Sequence, residues 1–290
     1  MMNAEAGMAM IDLNARSRDA IAEFFAEVAL AAGPVVMMEY DCDCEVRTKR
    51  DSSPVTIADE RAEEVILGLL RARASAIPIV AEESVARGAQ TSIGRSFILV
   101  DPLDGTREFI ACNGEFTINI ALVRDGVPVA GAVYAPALGR LWFGGERAFV
   151  CDVAVGAPLP EKTSWRQIGA RAAPSHGLIA LASRSHCDPA TEAFLARLPI
   201  GERRSAGSSL KFCALAEGGA DVYPRFSPTM EWDTAAGDAV LRAAGGIVNA
   251  LEGGPLFYGK KADGLRNAGF VAWGDPALAA NAAMLNETST

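Results

Sequence analysis

Apolar residues recur along this chain with two different periods, and the period changes partway through. From Ser17 to about Tyr40, the residues Ile21, Phe24, Phe25, Val28 and Leu30 return at helical spacing, which predicts a long helix. Gly33 and Pro34 fall inside it. A proline removes a helical hydrogen bond, so a kink or interruption is expected there. The polar connector RTKRDSSP leads to a second helix predicted over 57–75, carrying Ile66, Leu69 and Leu70. Short apolar runs then take over at 77–81, 97–100, 116–123 and 127–134. They read as strands, with Arg124-Asp125-Gly126 as the turn of a hairpin. The runs at 141–143 and 148–150 are expected to extend the same sheet.

A Pro- and polar-rich stretch at 152–171 marks a boundary between an N-terminal α+β half, residues 1–155, and a C-terminal α/β half, residues 156–290, packed as one catalytic unit. Beyond it the expected order is strand 178–182, helix 189–197, helix 208–217, strand 220–224, helix 233–244, strand 269–273 and helix 276–286. No internal repeat or low-complexity tract interrupts this order.

Composition narrows the picture. The chain has 290 residues, 50% of them apolar, which is enough for a large core. Its net charge of −9, with no Lys/Arg run, excludes the basic footprint of a nucleic-acid binder. An acidic protein that acts on anions must gather positive charge locally, and bound metal ions do that. The six cysteines, Cys42, Cys44, Cys112, Cys151, Cys187 and Cys213, include no C-x-x-C pair, so a zinc site is not indicated and buried apolar roles are expected. The N-terminus lacks a signal-peptide apolar region, and no window holds 18 consecutive apolar residues. These features point to a cytoplasmic protein without an integral membrane segment. Peripheral association with the inner membrane stays open, as does the choice between monomer and homodimer.

Candidate chemistry lies where strands end. FILVDPLDGTREF, residues 97–109, closes an apolar run with Asp101 and Asp104, bracketed by Pro102 and Gly105. Such a turn aims Asp101, the Leu103 carbonyl and Asp104 at one point, an all-oxygen set suited to Mg²⁺; an ordinary D-P-x-D-G turn is the alternative. IPIVAEES delivers Glu82 and Glu83 at another strand end, where solvated acids are the alternative. MEWDTAAGDAVLRAAGG puts Asp233 at a helix start, where aspartate also serves as a cap. Its Ala235-Ala236-Gly237 run permits close approach of another element. RTKRDSSPVTIADE carries Lys49, Asp51, Thr56 and Asp59. Thr56 and Asp59 read either as a variant capping box or as a group orienting a hydroxyl near metal ions.

Taken in order, K-x-D-x-S-P-V-T-x-A-D, E-E-S, D-P-L-D-G-T-R-E-F and W-D-T-A-A-G resemble the inositol monophosphatase-like superfamily of lithium-sensitive, Mg²⁺-dependent phosphatases, over roughly residues 15–275. The resemblance implies a layered αβαβα sandwich. It also implies a metal-binding first half and a substrate-binding second half. Glu82, Asp101, Asp104, Asp233 and the Leu103 carbonyl would hold two or three Mg²⁺ ions. Thr106, paired with Asp59, would activate water, with Glu82 also in the catalytic set. The N–H groups of Gly105 and Thr106 would receive the scissile phosphate, with Asp233 beside the substrate.

Within the superfamily the likeness is to bisphosphate nucleotidases, through DPLDGTREFIACNGEFTINIAL, LASRSH and GSSLKFCALAEGGADVYPRF. Inositol monophosphatases typically have D-G-T-x-N-F, and an acid near the position of Arg225. An Arg there favours an anionic group over a neutral polyol. Ser208, Lys211 and Arg225 would clamp a second phosphate, and His186 would sit near the nucleoside. A-E-E-S stands where close relatives carry S-E-E-D, which removes no ligand. The implied reaction converts adenosine 3′,5′-bisphosphate to AMP and phosphate, with the phosphosulfate analogue as a further substrate, in sulfur metabolism. The alternatives are inositol monophosphatase or fructose-1,6-bisphosphatase activity, or a non-catalytic regulatory or RNA-interacting relative.

Overall fold

The computed structural model describes residues 11–13, 15–40, 46–48, 54–74, 76–90, 92–182 and 188–280. Seven α-helices carry the argument. They are α1 (Arg18–Tyr40), α2 (Ile57–Ala74), α3 (Glu82–Ala86), α4 (Thr106–Ile110), α5 (Pro189–Leu195), α6 (Leu210–Ala216) and α7 (Glu231–Ala243).

The apolar runs of the first part build six strands of a seven-stranded sheet, and the seventh, Arg166–Ile168, comes unanticipated from the stretch read as the boundary. The order of the sheet is Ile79–Ala81, Ser96–Asp104, Thr117–Arg124, Val127–Ala135, Arg140–Gly144, Ala148–Asp152 and Arg166–Ile168. The first pair is parallel and all other neighbours are antiparallel. The predicted hairpin is present: Asp125 and Gly126, both at positive φ, join strands that pair from Arg124 and Val127 outward. Side chains alternate across a strand, so these runs supply two cores at once. Ile98, Val100, Ile118, Ile120 and Tyr134 pack towards α1 and α2, whereas Phe97, Leu99, Ala121, Val123 and Val133 face α6 and α7.

A second, five-stranded sheet follows in the order Ile200–Ser205, Leu178–Ala182, Val222–Arg225, Phe270–Trp273 and Ile247–Ala250. Its inner face closes on α6 and α7 through Leu181, Tyr223, Val248 and Phe270. Its outer face carries Ala180, Val222, Val271 and Trp273 against Leu195 of α5 and Ala279. The layers are helix, sheet, helix, sheet, helix, as the motif resemblance implies.

The interruption expected at Pro34 is corrected. α1 runs from Arg18 to Tyr40 without a break, with Pro34 inside it. Burial along its length outweighs the one hydrogen bond lost at proline, and Gly33 earns its place by packing: a Cβ there would stand 2.5 Å from Cε1 of Tyr134. α1 is also long and apolar enough to cross a membrane by length and composition, yet Ile21, Phe25 and Ala29 are fully buried in the protein core. The strands Ile200–Ser205 and Ile247–Ala250 were not anticipated. The predicted helix at 276–286 begins at 276, and its part beyond 280 lies outside the described residues.

Close approach sets the height of α7 above the first sheet. A Cβ on Gly131 would stand 2.9 Å from the Ala236 carbonyl oxygen, and one on Gly144 would meet Ala243 at 2.9 Å. On the other side of the helix, a Cβ on Gly237 would enter the Phe212 ring of α6 at 2.6 Å. The small-residue run of α7 thus wedges this helix between its neighbours, with its N-terminal end at the mouth of the site.

Candidate active site

The strand Ser96–Asp104 is buried until its end, where the pairing slips. Asp101 lies opposite Asn119 and Asp104 opposite Thr117, so one extra residue bulges from the first strand. The Asp101 carboxylate accepts the Leu103 N–H at 3.0 Å, which folds the bulge back on itself. Gly105 follows at φ +91°, a left-handed conformation that a glycine adopts without strain, and α4 starts at Thr106. Glu82 opens α3 directly after the strand Ile79–Ala81. That start is held by Glu63, a fully buried carboxylate on α2 that accepts the Glu83 N–H at 2.7 Å, the Ser84 hydroxyl at 2.7 Å and Arg87 at 2.8 Å. Asp233 is the third residue of α7 and accepts the Met230 N–H at 2.8 Å. It therefore caps the helix and lines the cleft at the same time.

Glu82, Asp101, Leu103, Asp104, Gly105, Thr106 and Asp233 line one cleft of about 290 Å³. Burial pushes the Asp101 carboxyl well above the usual carboxylate range, and the charges of Glu82, Asp104 and Asp233 push it further. Burial, then Asp104 and Glu82, do the same to Asp233. Acids that raise one another in this way favour a cation among them, and their hard oxygen donors suit Mg²⁺. They line the cleft rather than form a closed cage. Among the described residues, no three His, Cys, Asp or Glu side chains are gathered as ready metal ligands.

Thr56 and Asp59 form the cap, and Asp59 also reaches the hydroxyl of Thr106. Asp59 Oδ2 accepts the Thr56 N–H at 2.8 Å and the Thr56 hydroxyl at 2.7 Å, while Thr56 Oγ1 accepts the Ala58 N–H at 3.2 Å. That is a capping arrangement at the start of α2. The other oxygen, Oδ1, accepts the Thr106 hydroxyl at 3.2 Å, across 47 residues of chain.

The same cleft also carries cations. Lys211 and Arg225 line the cleft with Ser208. Lys211 is buried on α6, donates to the carbonyls of Ala206 at 3.0 Å and Ser208 at 2.7 Å, and lies 5.2 Å from the Tyr223 ring centroid. Burial lowers its pKa to about 8, with Asp104 opposing and Arg225 adding to the fall. Ser208 precedes α6 at φ +51° and donates its hydroxyl to Asp104 Oδ2 at 2.5 Å. His186, Lys49 and Asp51 lie outside the described residues.

Four side chains around the site were missed. Glu115 accepts the Gly207 N–H at 2.8 Å and so tethers the loop before α6. Glu63 sits on the buried side of α2, where its signal was an acid on an apolar helix face. Asn119 and Thr117 are fully buried on the strand Thr117–Arg124. Two polar residues spaced by two in the apolar run FTINIALV were the signal for that pair.

Comparison with known proteins agrees with this architecture. The model of the inositol monophosphatase family matches residues 17–283, and the chain belongs to that family. Within it, the chain is 41% identical over 246 residues to a protein of Shigella flexneri named 3′(2′),5′-bisphosphate nucleotidase CysQ, covering 84% of this chain and 96% of the relative. The protein of that name in Escherichia coli is 42% identical over 247 residues, with the same coverage. The crystal structure of CysQ from Bacteroides thetaiotaomicron superposes with a TM-score of 0.73 at 40% identity, covering 88% of this chain and 97% of the other.

Proposed function

We propose that this chain is a Mg²⁺-dependent phosphatase that removes the 3′-phosphate of adenosine 3′,5′-bisphosphate, giving AMP and phosphate, and also accepts the phosphosulfate analogue. The observation that carries the reading is a single cleft lined by Glu82, Asp101, Asp104 and Asp233 together with Lys211, Arg225 and Ser208. The acids suit a metal-assisted hydrolysis, and the cations suit a substrate with a second anionic group. Relatives named as bisphosphate nucleotidases, at 41–42% identity over most of this chain, support the same substrate.

Glu82, Asp101, Asp104, Asp233 and the Leu103 carbonyl would hold two or three Mg²⁺ ions, which when bound neutralise the acids, polarise the phosphoryl group and lower the pKa of water. The chain's own residues direct the rest. Thr106 donates to Asp59, so its oxygen lone pairs point outward to take a proton from attacking water as Asp59 takes the threonine proton. The N–H groups of Gly105 and Thr106 receive the scissile phosphate, and the bond from phosphorus to the ribose 3′-oxygen breaks. Ser208, Lys211 and Arg225 hold the 5′-phosphate, which fixes the distance from clamp to reacting centre.

This division of labour assigns metal binding mainly to residues 1–155 and substrate recognition to 156–290, with Asp233 crossing between them. A cytoplasmic setting in sulfur metabolism and inhibition by lithium belong to the same proposal. The test is a substrate panel. Purified enzyme with Mg²⁺ should release phosphate from adenosine 3′,5′-bisphosphate much faster than from inositol 1-phosphate or fructose 1,6-bisphosphate, and Arg225→Glu should reverse part of that preference. A preference for inositol 1-phosphate in the unaltered chain overturns the nucleotidase reading. Unchanged turnover in Asp104→Asn would overturn the enzyme reading altogether.

A further inference from the structure

Asn119 is fully buried and stands opposite Asp101 on the neighbouring strand. Its Nδ2 donates to Ser209 Oγ at 3.0 Å and to Asp104 Oδ2 at 3.4 Å. Its Oδ1 accepts the Thr117 hydroxyl at 3.0 Å. The orientation of the Asn119 amide is determined by its partners. Ser209 gives its proton to the Asp233 carbonyl at 2.9 Å, so Asn119 must present a donor to it, and the amide can point only one way. Ser208, in contact with Thr117 at 2.5 Å, adds a second donor to Asp104 Oδ2.

Both donors fall on the same oxygen of Asp104, a residue that lines the cleft. The network also joins three separate elements: the first sheet through Asn119 and Thr117, the loop before α6 through Ser208 and Ser209, and α7 through Asp233. Outer groups that hydrogen-bond a ligating carboxylate fix its orientation and tune the ion it holds. We propose that Asn119 is a positioning residue for the metal site. It acts through Asp104, by fixing the orientation of that carboxylate and linking it to the Asp233 end of the cleft. This inference rests on the metal-dependent reading of the carboxylates.

The experiment titrates Mn²⁺, a paramagnetic stand-in with oxygen ligands, into metal-stripped protein and reads free ion by electron paramagnetic resonance. Thermal unfolding is recorded on the same samples. Asn119→Leu keeps the side-chain volume and loses both donors. It should weaken Mn²⁺ binding by about 10- to 100-fold, and turnover at saturating Mg²⁺ should recover most of the lost rate. In a double-mutant cycle with Asp104→Asn, the two losses should fall well short of additive.

A residue that only supports the fold would lower the unfolding temperature and leave Mn²⁺ affinity within twofold, which overturns the inference while leaving the metal-dependent reading intact. Failure of the unaltered chain to bind Mn²⁺ overturns both. Should Asn119→Leu not fold, the isosteric Thr117→Val carries the test. It removes the donor to the amide oxygen and loosens the side chain, and a severalfold loss of Mn²⁺ affinity is expected where a purely structural role gives none.

Discussion

Asp59 commits one carboxylate oxygen to the fold and the other to the site, and the two can be separated by substitution. Asp59→Asn cannot accept from Thr56 and Thr106 on both atoms, so the amide turns its oxygen to the two Thr56 donors. Turnover should fall by about 10²- to 10⁴-fold with KM and metal affinity near their original values. Thr106→Val should match it, and the double variant should be no worse than either single one, as steady-state kinetics would establish.

A second carboxylate, Asp238, lies away from the chemistry and shapes stability instead. It is fully buried on α7, paired with Arg242 at 2.6 Å and hydrogen-bonded by Tyr258 at 3.0 Å. Burial raises its pKa to about 6, with Arg242 and Tyr258 pulling it part of the way back. The folded state therefore holds this proton more tightly than the unfolded chain does. Its contribution is present at low pH and declines as pH rises from about 4 to 6, by roughly 3 kcal/mol. Denaturant midpoints across that window should show a slope in the original chain that Asp238→Asn removes.

At the scale of elements, α7 depends on the absence of side chains. Gly237→Val would force Phe212 aside and cost about 1–3 kcal/mol of stability. Because α7 carries Asp233, the same shift should weaken metal binding, which a urea midpoint and a Mn²⁺ titration together would reveal. Much of this was legible in advance. The small residues at 235–237 announced a close approach, the apolar runs announced the first sheet, and the acids at strand ends announced the cleft. The strand Ile200–Ser205 was not legible, because it is a largely exposed edge and its sequence IGERRS carries no apolar alternation. The break expected at Pro34 failed for the opposite reason, since tertiary burial overrode a local rule. Glu63 and Asn119 stayed hidden because each acts through backbone or side-chain groups far away in sequence.

At the scale of the whole molecule, the cleft is a store of unfavourable charge that a cation relieves. Ion binding to the folded state alone stabilises by about 2.7 kcal/mol at a concentration 100 times the dissociation constant. For a chain of this size, that raises the unfolding temperature by on the order of 5 °C. Adding Mg²⁺ to metal-stripped protein should produce this shift and a chelator should reverse it. Asp101→Asn, with one repelling acid neutralised, should start from a higher temperature and respond less.

The wedged position of α7 has a further consequence, for how the protein is made. Asp104 leaves the ribosome about 130 residues before Asp233. At a synthesis rate of about 5–20 residues per second, that interval lasts roughly 6–26 s. For roughly the last two-thirds of it, once Gly144 has been made, the strands Val127–Ala135 and Arg140–Gly144 are present, but the face that will receive α7 is bare and Asp233 is still missing from the cleft. On the metal-dependent reading, the nascent chain should be both sticky and unable to complete its ion site until Asp233 has emerged. Metal loading would then be a late event, and the half-made protein a natural client for chaperones that shield apolar sheet faces.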